Sequence, residues 1–197
     1  MSSLFILGGA RSGKSRHAIA AQPRRARVAF VATARAGDAD MSARIARHRA
    51  ERPAHWTTVE EPFDVPARLA ALRGVDAAIV DCVTVWIANR VLRGDADDTI
   101  LSGADALARL VADAPFDVTL VSNEVGEGVH PETSVGLRFR DVLGVVNQQL
   151  AAACDRVVLM VAGLPLTLKS TYQSPFEHGG PTTKDPQTPN VDAPQAP

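Results

Sequence analysis

Short runs of apolar residues recur along the chain, and longer segments with helical spacing separate them. Five such runs occupy residues 4–7, 28–32, 77–80, 118–121 and 157–161. Each run is short and almost uniformly apolar, whereas a strand with one face in water would alternate apolar and polar residues. The pattern therefore predicts buried strands that are covered on both faces, as in a parallel sheet.

The segments between these runs contain good helix formers or apolar residues at helical spacing. Helices are predicted at about residues 14–22, 38–51, 63–73, 83–93, 99–113 and 134–153. Strands that alternate with helices in this way build sheets with parallel crossover connections. The predicted fold class is α/β, an open and mostly parallel sheet with helices on both faces.

The composition is that of an ordinary globular protein. A length of 197 residues suits one well-buried core, and a net charge of -1 gives no general attraction to nucleic acid. No apolar run is long enough to cross a membrane, and no signal peptide precedes the first strand, so we expect a cytoplasmic protein with no stable membrane insertion. Cys82 and Cys154 lie far apart and are expected to be buried thiols.

The composition changes near Ser170. The last 24 residues contain six prolines and almost no large apolar residues. Such a segment buries too little surface to offset its ordering entropy. We therefore expect one domain over residues 1–169 and a flexible, proline-rich tail over residues 170–197.

A phosphate-binding motif follows the first predicted strand. Residues 8–15 match the P-loop pattern G-x-x-x-x-G-K-[ST] in full, as Gly8, Gly9, Ala10, Arg11, Ser12, Gly13, Lys14 and Ser15. Glycines let the backbone wrap a phosphate with its N–H groups pointing inward, and the helix that follows presents its positive end. The sequence therefore predicts a nucleoside triphosphate site.

Three side chains are candidates for the chemistry at this site. Lys14 is expected to reach the β- and γ-phosphates as a catalytic cation, and Ser15 to offer its hydroxyl to Mg²⁺. Asp81 ends the apolar run at 77–80, the usual place for an acidic residue on the metal side of a P-loop. Asp81 would otherwise cap the helix predicted at 83–93, but beside a P-loop we favour the metal.

The P-loop and several other segments together resemble one protein family. The further segments are Arg44-Ile45-Ala46-Arg47-His48-Arg49, Arg52-Pro53, Asn123-Glu124-Val125-Gly126-Glu127-Gly128, and Phe139-Arg140-Asp141 with Gly144, Asn147 and Gln148. The family is the bifunctional adenosylcobinamide kinase / adenosylcobinamide-phosphate guanylyltransferase of cobalamin biosynthesis. The resemblance covers about residues 3–169, and it implies a RecA-like P-loop NTPase fold.

The resemblance implies two reactions on one chain. A nucleoside triphosphate, ATP or GTP, would phosphorylate adenosylcobinamide with Mg²⁺. GTP would then transfer GMP to that phosphate, giving adenosylcobinamide-GDP and pyrophosphate. In the family this transfer passes through GMP attached to a histidine, and the matching position here is His48.

The residues around His48 agree with a nucleophilic role. An imidazole is largely uncharged near neutral pH and attacks phosphorus well. The arginines at positions 44, 47, 49 and 52 would neutralise phosphate charge and disfavour the imidazolium. Without the resemblance, a surface histidine on a basic helix would be the preferred interpretation. Family members often carry a second histidine where this chain has Arg47, so no neighbour could replace His48.

The resemblance also implies a GTP site beyond the P-loop. Its residues here are Thr33, Ala34, Arg35, Arg49, Ala50, Glu51, Arg52, Glu60 and Asp81. Members of the family often have glutamate where Asp81 stands. The shorter side chain leaves open whether Asp81 contacts guanine or the metal.

Two other groups of polar residues allow more than one interpretation. Asn123 and Glu124 follow the predicted strand at 118–121, so we place them on the rim of the active site, with a structural turn as the rival. Arg138, Arg140 and Asp141 form either a salt-bridged helix surface or a subunit contact.

The leading hypothesis is a bifunctional enzyme that acts on adenosylcobinamide and its phosphate. A related alternative is a chain that keeps only one activity. A different class is a nucleotide-driven switch or motor, which His48 and the lack of a basic nucleic-acid surface count against. The family is typically trimeric, so a homotrimer is expected.

Overall fold

The computed structural model describes residues 1–35, 37, 46, 49–50, 52–128 and 130–170. The strands are β1 Ser3–Gly8, β2 Val28–Ala32, β3 Thr57–Glu60, β4 Ala77–Asp81, β5 Asp117–Val121, β6 Arg156–Val161 and β7 Leu164–Lys169. The helices, numbered along this part of the chain, are α1 Lys14–Ala20, α2 Val65–Ala70, α3 Val83–Arg93, α4 Asp97–Asp113 and α5 Ser134–Ala153.

The strands form one sheet in the order β3-β2-β4-β5-β1-β6-β7. Every neighbouring pair is parallel except β6 with β7, which is antiparallel. The mostly parallel α/β sheet predicted from the sequence is therefore confirmed. Because parallel strands share one direction, the carboxyl ends of β1, β4 and β5 lie at the same edge of the sheet.

Alternating residues of each strand serve two separate apolar layers. In β1, Phe5 packs in a core shared with α2 to α5, whereas Ile6 packs on the other face with Ala18 of α1. Both strand residues are fully buried. Side chains alternate across a strand, so a run that is apolar at every position needs cover on both sides. The prediction of helices on both faces is confirmed.

The five predicted strands are all present, and so are five of the six predicted helices. Most of the sixth helix, 38–51, lies outside the described residues. The two edge strands, β3 and β7, were not predicted. In β3 only Val59 is a large apolar residue, and Pro165 interrupts the pattern of β7. Edge strands can be polar or contain proline because one side of the strand needs no ladder partner.

The predictions about cysteines, tail and membrane have different outcomes. Cys154 is buried as expected, but Cys82 is only partly buried. Of the predicted tail, residues 171–197 lie outside the described part of the chain. No described helix is long and apolar enough to cross a membrane.

An ion-paired arginine stabilises the contact between α3 and α4. Arg90 is only 7% exposed, and its Nε donates to Asp95 over 2.7 Å while Nη2 donates to the Thr99 carbonyl over 3.1 Å. Hydrogen bonds from Arg93 and Arg90 hold the pKa of Asp95 well below its usual range. Gly103 of α4 faces this guanidinium, since a Cβ there would press directly on Arg90 Nη1.

Replacing Gly103 with alanine should therefore destabilise the fold, although alanine is normally the better helix former. We expect a loss of about 1–3 kcal/mol in the free energy of unfolding, because Arg90 must leave its partners. Gly144→Ala is the matched control, since a Cβ at that position of α5 meets nothing within 4 Å. That change should stabilise by about 0.5–1 kcal/mol. Urea unfolding of both variants tests the contrast, and a similar shift in both would contradict it.

Candidate active site

The P-loop connects β1 to α1 through a backbone that requires glycine at two points. Gly8 has a φ of 148°, and a Cβ there would lie 2.6 Å from the Met160 carbonyl oxygen and 2.8 Å from Ser12 Oγ. Gly13, with a φ of 94°, immediately precedes the first residue of α1. L-residues with a side chain rarely adopt such positive φ values, so both glycines are conformational requirements of the loop.

Lys14 extends back over the loop that carries it. Its Nζ donates to the Gly8 carbonyl over 2.9 Å and to the Gly9 carbonyl over 2.6 Å. Burial lowers the pKa of Lys14, and its electrostatic interactions with Cys82 and Asp81 oppose this shift. The residue is only 8% exposed. The ammonium group is therefore held at the phosphate cradle by backbone carbonyls.

An open cleft of about 930 Å³ runs along the carboxyl ends of the central strands. P-loop residues 10–15 line one side, together with Arg16 of α1. Asp81 at the end of β4 and Asn123 just after β5 line the other side. The turn between β6 and β7 closes a third side, where the Gly163 amide donates to the Ser12 carbonyl over 3.1 Å. The cleft thus brings the predicted phosphate and metal residues together.

Ser15 and Asp81 have the chemistry of a Mg²⁺ site. Both side chains line the cleft, and hydroxyl and carboxylate oxygens are ligands that this ion accepts. The Asp81 carboxylate forms no hydrogen bond or ion pair with another described residue. Among the described residues, no group of three or more His, Cys, Asp and Glu could hold a metal ion. The two oxygens therefore suit an ion that takes its other ligands from nucleotide and water.

Thr33 is the most buried of the predicted GTP-site residues, with no exposed surface. Its hydroxyl donates to the Cys82 carbonyl over 2.8 Å and accepts from the Cys82 amide over 2.9 Å. Its own carbonyl accepts from Asn89 Nδ2 over 2.9 Å. The side chain therefore joins the end of β2 to the turn after β4, and its polar groups are used within the fold.

Arg52 occupies a half-buried position on the α1 side of the sheet. Its guanidinium lies 3.6 Å from the centre of the Phe30 ring, and Nη1 donates to Thr58 Oγ1 over 3.0 Å. The Nε is buried and has no partner in the described structure. Burial, as the largest cause, lowers the pKa of Arg52, while the charges of Asp81 and Glu60 oppose this shift. A buried donor without a partner costs free energy that an acceptor on a ligand could recover.

The remaining predicted GTP-site residues lie near the ends of β2 and β3 or on the surface. Arg35 is exposed and lies 5.4 Å from the centre of the Phe63 ring. Ala34 is half-buried, and Glu60, Arg49 and Ala50 are exposed. None of these residues lines the P-loop cleft as do Lys14 and Asp81. His48 and Glu51 lie outside the described residues.

Asn123 and Glu124, the two residues for which the sequence left a rim and a turn role open, have different surroundings. Asn123 lines the cleft, as expected for an active-site rim. The Glu124 carboxylate accepts a hydrogen bond from the Gly126 amide over 3.2 Å, a local contact of the kind that stabilises a turn. The backbone amide of Glu124 also donates to the Gly8 carbonyl over 3.2 Å.

The α5 charges form a salt-bridged helix surface, one of the two interpretations of the sequence. Arg138 pairs with Asp97 at 2.7 Å and also donates to the Asp95 carbonyl. Arg140 pairs with Asp141 at 2.8 Å. Exposed ion pairs of this kind contribute little to stability.

Three buried polar residues near Asn123 were missed by the sequence analysis as site components. They are Thr84 of α3, Ser122 after β5 and Asn147 of α5. In the sequence, Asn147 stood out only as a member of one segment that resembles the family. A polar residue within the apolar pattern of α5 was the one local signal that could have drawn attention to it.

The sheet, the P-loop and the cleft place the chain in the P-loop NTPase fold class. An ATPase from the type III secretion system of pathogenic bacteria has a similar structure, with a TM-score of 0.50 at 13% identity over 84% of this chain and 56% of that chain. A likeness at this identity concerns the fold alone.

Residues 4–168 match the family model described as cobinamide kinase / cobinamide phosphate guanyltransferase, and the chain belongs to this family. It is 46% identical over 168 residues to the bifunctional adenosylcobalamin biosynthesis protein CobP of Pseudomonas aeruginosa, a match covering 84% of this chain and 96% of that protein. It is 38% identical over 179 residues to the bifunctional adenosylcobalamin biosynthesis protein CobU of Salmonella typhimurium, covering 84% and 99%.

Proposed function

We propose that the chain phosphorylates adenosylcobinamide with ATP or GTP and then transfers GMP from GTP to the phosphate formed. The observation that carries the proposal is membership of the two-activity family over residues 4–168. The cleft supports it, because Lys14, Ser15 and Asp81 all line it, and a lysine, a hydroxyl and a carboxylate are the groups that P-loop enzymes use in phosphoryl transfer.

In the kinase step, a hydroxyl oxygen of adenosylcobinamide bonds to the γ-phosphorus of the donor. The bond from that phosphorus to the β–γ bridging oxygen breaks, its electron pair leaves with the nucleoside diphosphate, and the hydroxyl proton passes to water. Lys14 and the P-loop amides would neutralise the phosphate charge. Mg²⁺, held by Ser15 and Asp81, would add positive charge at the β- and γ-phosphates.

In the guanylyl step, a neutral nitrogen of His48 attacks the α-phosphorus of GTP and pyrophosphate leaves. A phosphate oxygen of adenosylcobinamide phosphate then attacks the same phosphorus, and the phosphorus–nitrogen bond breaks. The product is adenosylcobinamide-GDP, and His48 is regenerated. An uncharged imidazole is suited to this double role as nucleophile and leaving group.

The residues near β2 and β3 are proposed to bind the guanosine part of GTP. Arg35 and Arg52 each lie on an aromatic ring, a geometry that holds a planar guanidinium ready for stacking or bidentate contacts. The buried, unpartnered Nε of Arg52 favours an anionic or carbonyl oxygen nearby. Asp81 is proposed to act on the metal side, because it shares the cleft with Ser15.

A homotrimer is proposed from the resemblance to the family. Light scattering coupled to size-exclusion chromatography measures the mass directly. A mass three times that of the 20.9 kDa chain is expected, and a monomer would refute the trimer without affecting the catalytic proposal.

Two assays on the purified protein test the function. The first follows ³²P from [γ-³²P]ATP or [γ-³²P]GTP to adenosylcobinamide, and the second follows formation of adenosylcobinamide-GDP and pyrophosphate from adenosylcobinamide phosphate and GTP. Both transfers are expected. Transfer in only one assay would mean that one activity is absent, and hydrolysis without any transfer would favour a nucleotide-driven switch.

A further inference from the structure

A chain of buried hydrogen bonds lies beneath the end of β5. Thr84, Ser122 and Asn147 come from α3, the end of β5 and α5, and they are 7%, 0% and 5% exposed. Thr84 Oγ1 and Ser122 Oγ are 3.2 Å apart, and Ser122 Oγ donates to Asn147 Oδ1 over 2.8 Å. Because the Ser122 proton is used toward Asn147, Thr84 must be the donor to Ser122.

Both ends of this chain hold the backbone of Asn123. The Asn123 amide donates to Thr84 Oγ1 over 2.6 Å, and Asn147 Nδ2 donates to the Asn123 carbonyl over 3.1 Å. The flanking amides are also fixed, since Ser122 donates to the Ile6 carbonyl over 2.9 Å and Glu124 to the Gly8 carbonyl over 3.2 Å. Residues 122–124 are therefore tied to the P-loop strand and to two helices.

The side chain of Asn123, in contrast, has no hydrogen-bond partner among the described residues, and it lines the cleft. Strand β5 lies between β1, which leads into the P-loop, and β4, which ends in Asp81. Asn123 therefore follows directly after the strand that lies between the strand leading into the P-loop and the strand ending in Asp81. A primary amide can donate to a phosphoryl oxygen and accept from a hydroxyl, and it adds no negative charge.

We infer that Asn123 is a catalytic residue of the kinase step that contacts the γ-phosphoryl group or the attacking hydroxyl, and that Thr84, Ser122 and Asn147 are positioning residues for it. This inference rests on the proposed kinase function. A connected polar chain in an apolar core is costly unless every member is satisfied. Here both ends of the hydrogen-bond chain reach Asn123, a residue of the cleft, and they hold its backbone amide and its backbone carbonyl.

Kinetics of Asn123→Ala test the catalytic role. Because the amide acts on the reacting groups, kcat for phosphorylation of adenosylcobinamide should fall by about 10²–10³, the usual effect of removing one such donor. KM for the nucleotide should change by less than about threefold, since the P-loop still binds the phosphates. A kcat within about twofold of wild type would overturn the inference.

A pair of substitutions at Thr84 tests the positioning role. Thr84→Val keeps the shape but removes the acceptor for the Asn123 amide, so kcat should fall about tenfold with little change in KM. Thr84→Ser keeps the hydroxyl and should restore kcat to within about twofold. Equal kcat values for the two variants, or a change in KM alone, would contradict the positioning role.

Thr119→Val is the matched control for loss of a buried hydroxyl. Thr119 lies in strand β5 and is 4% exposed, and its hydroxyl accepts a hydrogen bond of 3.1 Å from Gln22 Nε2. Thr119 does not line the cleft. We expect this variant to lower the melting temperature but to leave kcat unchanged. If wild-type protein transfers no phosphoryl group, the proposed function fails; if it does and Asn123→Ala is as fast, only the present inference fails.

Discussion

Protein carrying His48→Ala is expected to take up no label from [α-³²P]GTP, whereas the wild type becomes labelled. The label should be labile in acid and stable in alkali, as for a phosphorus–nitrogen bond. The substitution removes the proposed nucleophile, and Arg47 at the neighbouring position offers no second imidazole in its place. We expect formation of adenosylcobinamide-GDP to fall by at least about a hundredfold. The kinase rate should stay close to wild type, since His48 is proposed to act only in the second step.

His55→Ala is the control for this experiment. His55 lies seven positions further along the chain and is exposed in a turn before Trp56. Its replacement should leave labelling and both activities unchanged. Label that persists in His48→Ala, or label with the alkali-lability of an ester or acyl phosphate, would refute the histidine intermediate. The kinase assignment would survive that result.

Lys14→Met is expected to abolish both activities, because both donors are proposed to place their phosphates in the same P-loop. Methionine fills a similar volume but lacks the charge that Lys14 holds over the Gly8 and Gly9 carbonyls. The loss of this cation from the transition state should lower kcat/KM of each reaction by about 10³. Steady-state kinetics with ATP and GTP give the two values. A variant that keeps either activity within about tenfold would contradict a shared P-loop.

Stability must be measured alongside the Lys14→Met kinetics. Removing the ammonium leaves the two carbonyls without this donor, and an unsatisfied buried carbonyl costs about 1–3 kcal/mol. The melting temperature of the variant is therefore expected to change even before nucleotide is added. Arg24→Ala is a suitable control, because Arg24 is an exposed cation shortly after α1 that does not line the cleft. Its kinetics should match those of the wild type.

Comparison of His48→Ala with Lys14→Met also separates the two reactions. The first should lose guanylyl transfer alone, and the second should lose both steps. Asn123→Ala adds a third pattern, with a lower kinase kcat and a nearly unchanged nucleotide KM. These patterns assign each residue to a step, which a loss of activity alone could not do.

Local patterns in the chain were sufficient for the central strands, five helices and the P-loop. A run such as 77–80 is apolar at every position because both of its faces are covered, so its burial is visible in the sequence itself. The P-loop is readable because eight consecutive residues carry both its geometry and its chemistry. The edge strands β3 and β7 were not readable, because an edge strand needs neither uniform apolarity nor a complete ladder.

The roles of individual polar residues depended on contacts between distant parts of the chain. Thr33 follows an apolar strand and was placed with GTP by resemblance, yet its hydroxyl joins two backbone groups of Cys82, 49 positions away. The hydrogen bonds of Thr84 to Ser122 and of Ser122 to Asn147 span 38 and 25 positions. No spacing rule connects such residues, because their proximity is produced by the packing of α3 and α5 on β5.

By itself the sequence determined the fold class and the phosphate cradle, since each is encoded by residues that are adjacent or regularly spaced, and it indicated the family through several short motifs in a fixed order. Only the tertiary structure decided which polar groups are hydrogen-bonded within the fold and which residues line the cleft. Thr33 and Glu124 make their hydrogen bonds within the fold, whereas the side chains of Asp81 and Asn123 line the cleft. The physical reason is that a hydrogen-bonding group can satisfy only a few partners, and the folded chain determines which partners are within reach.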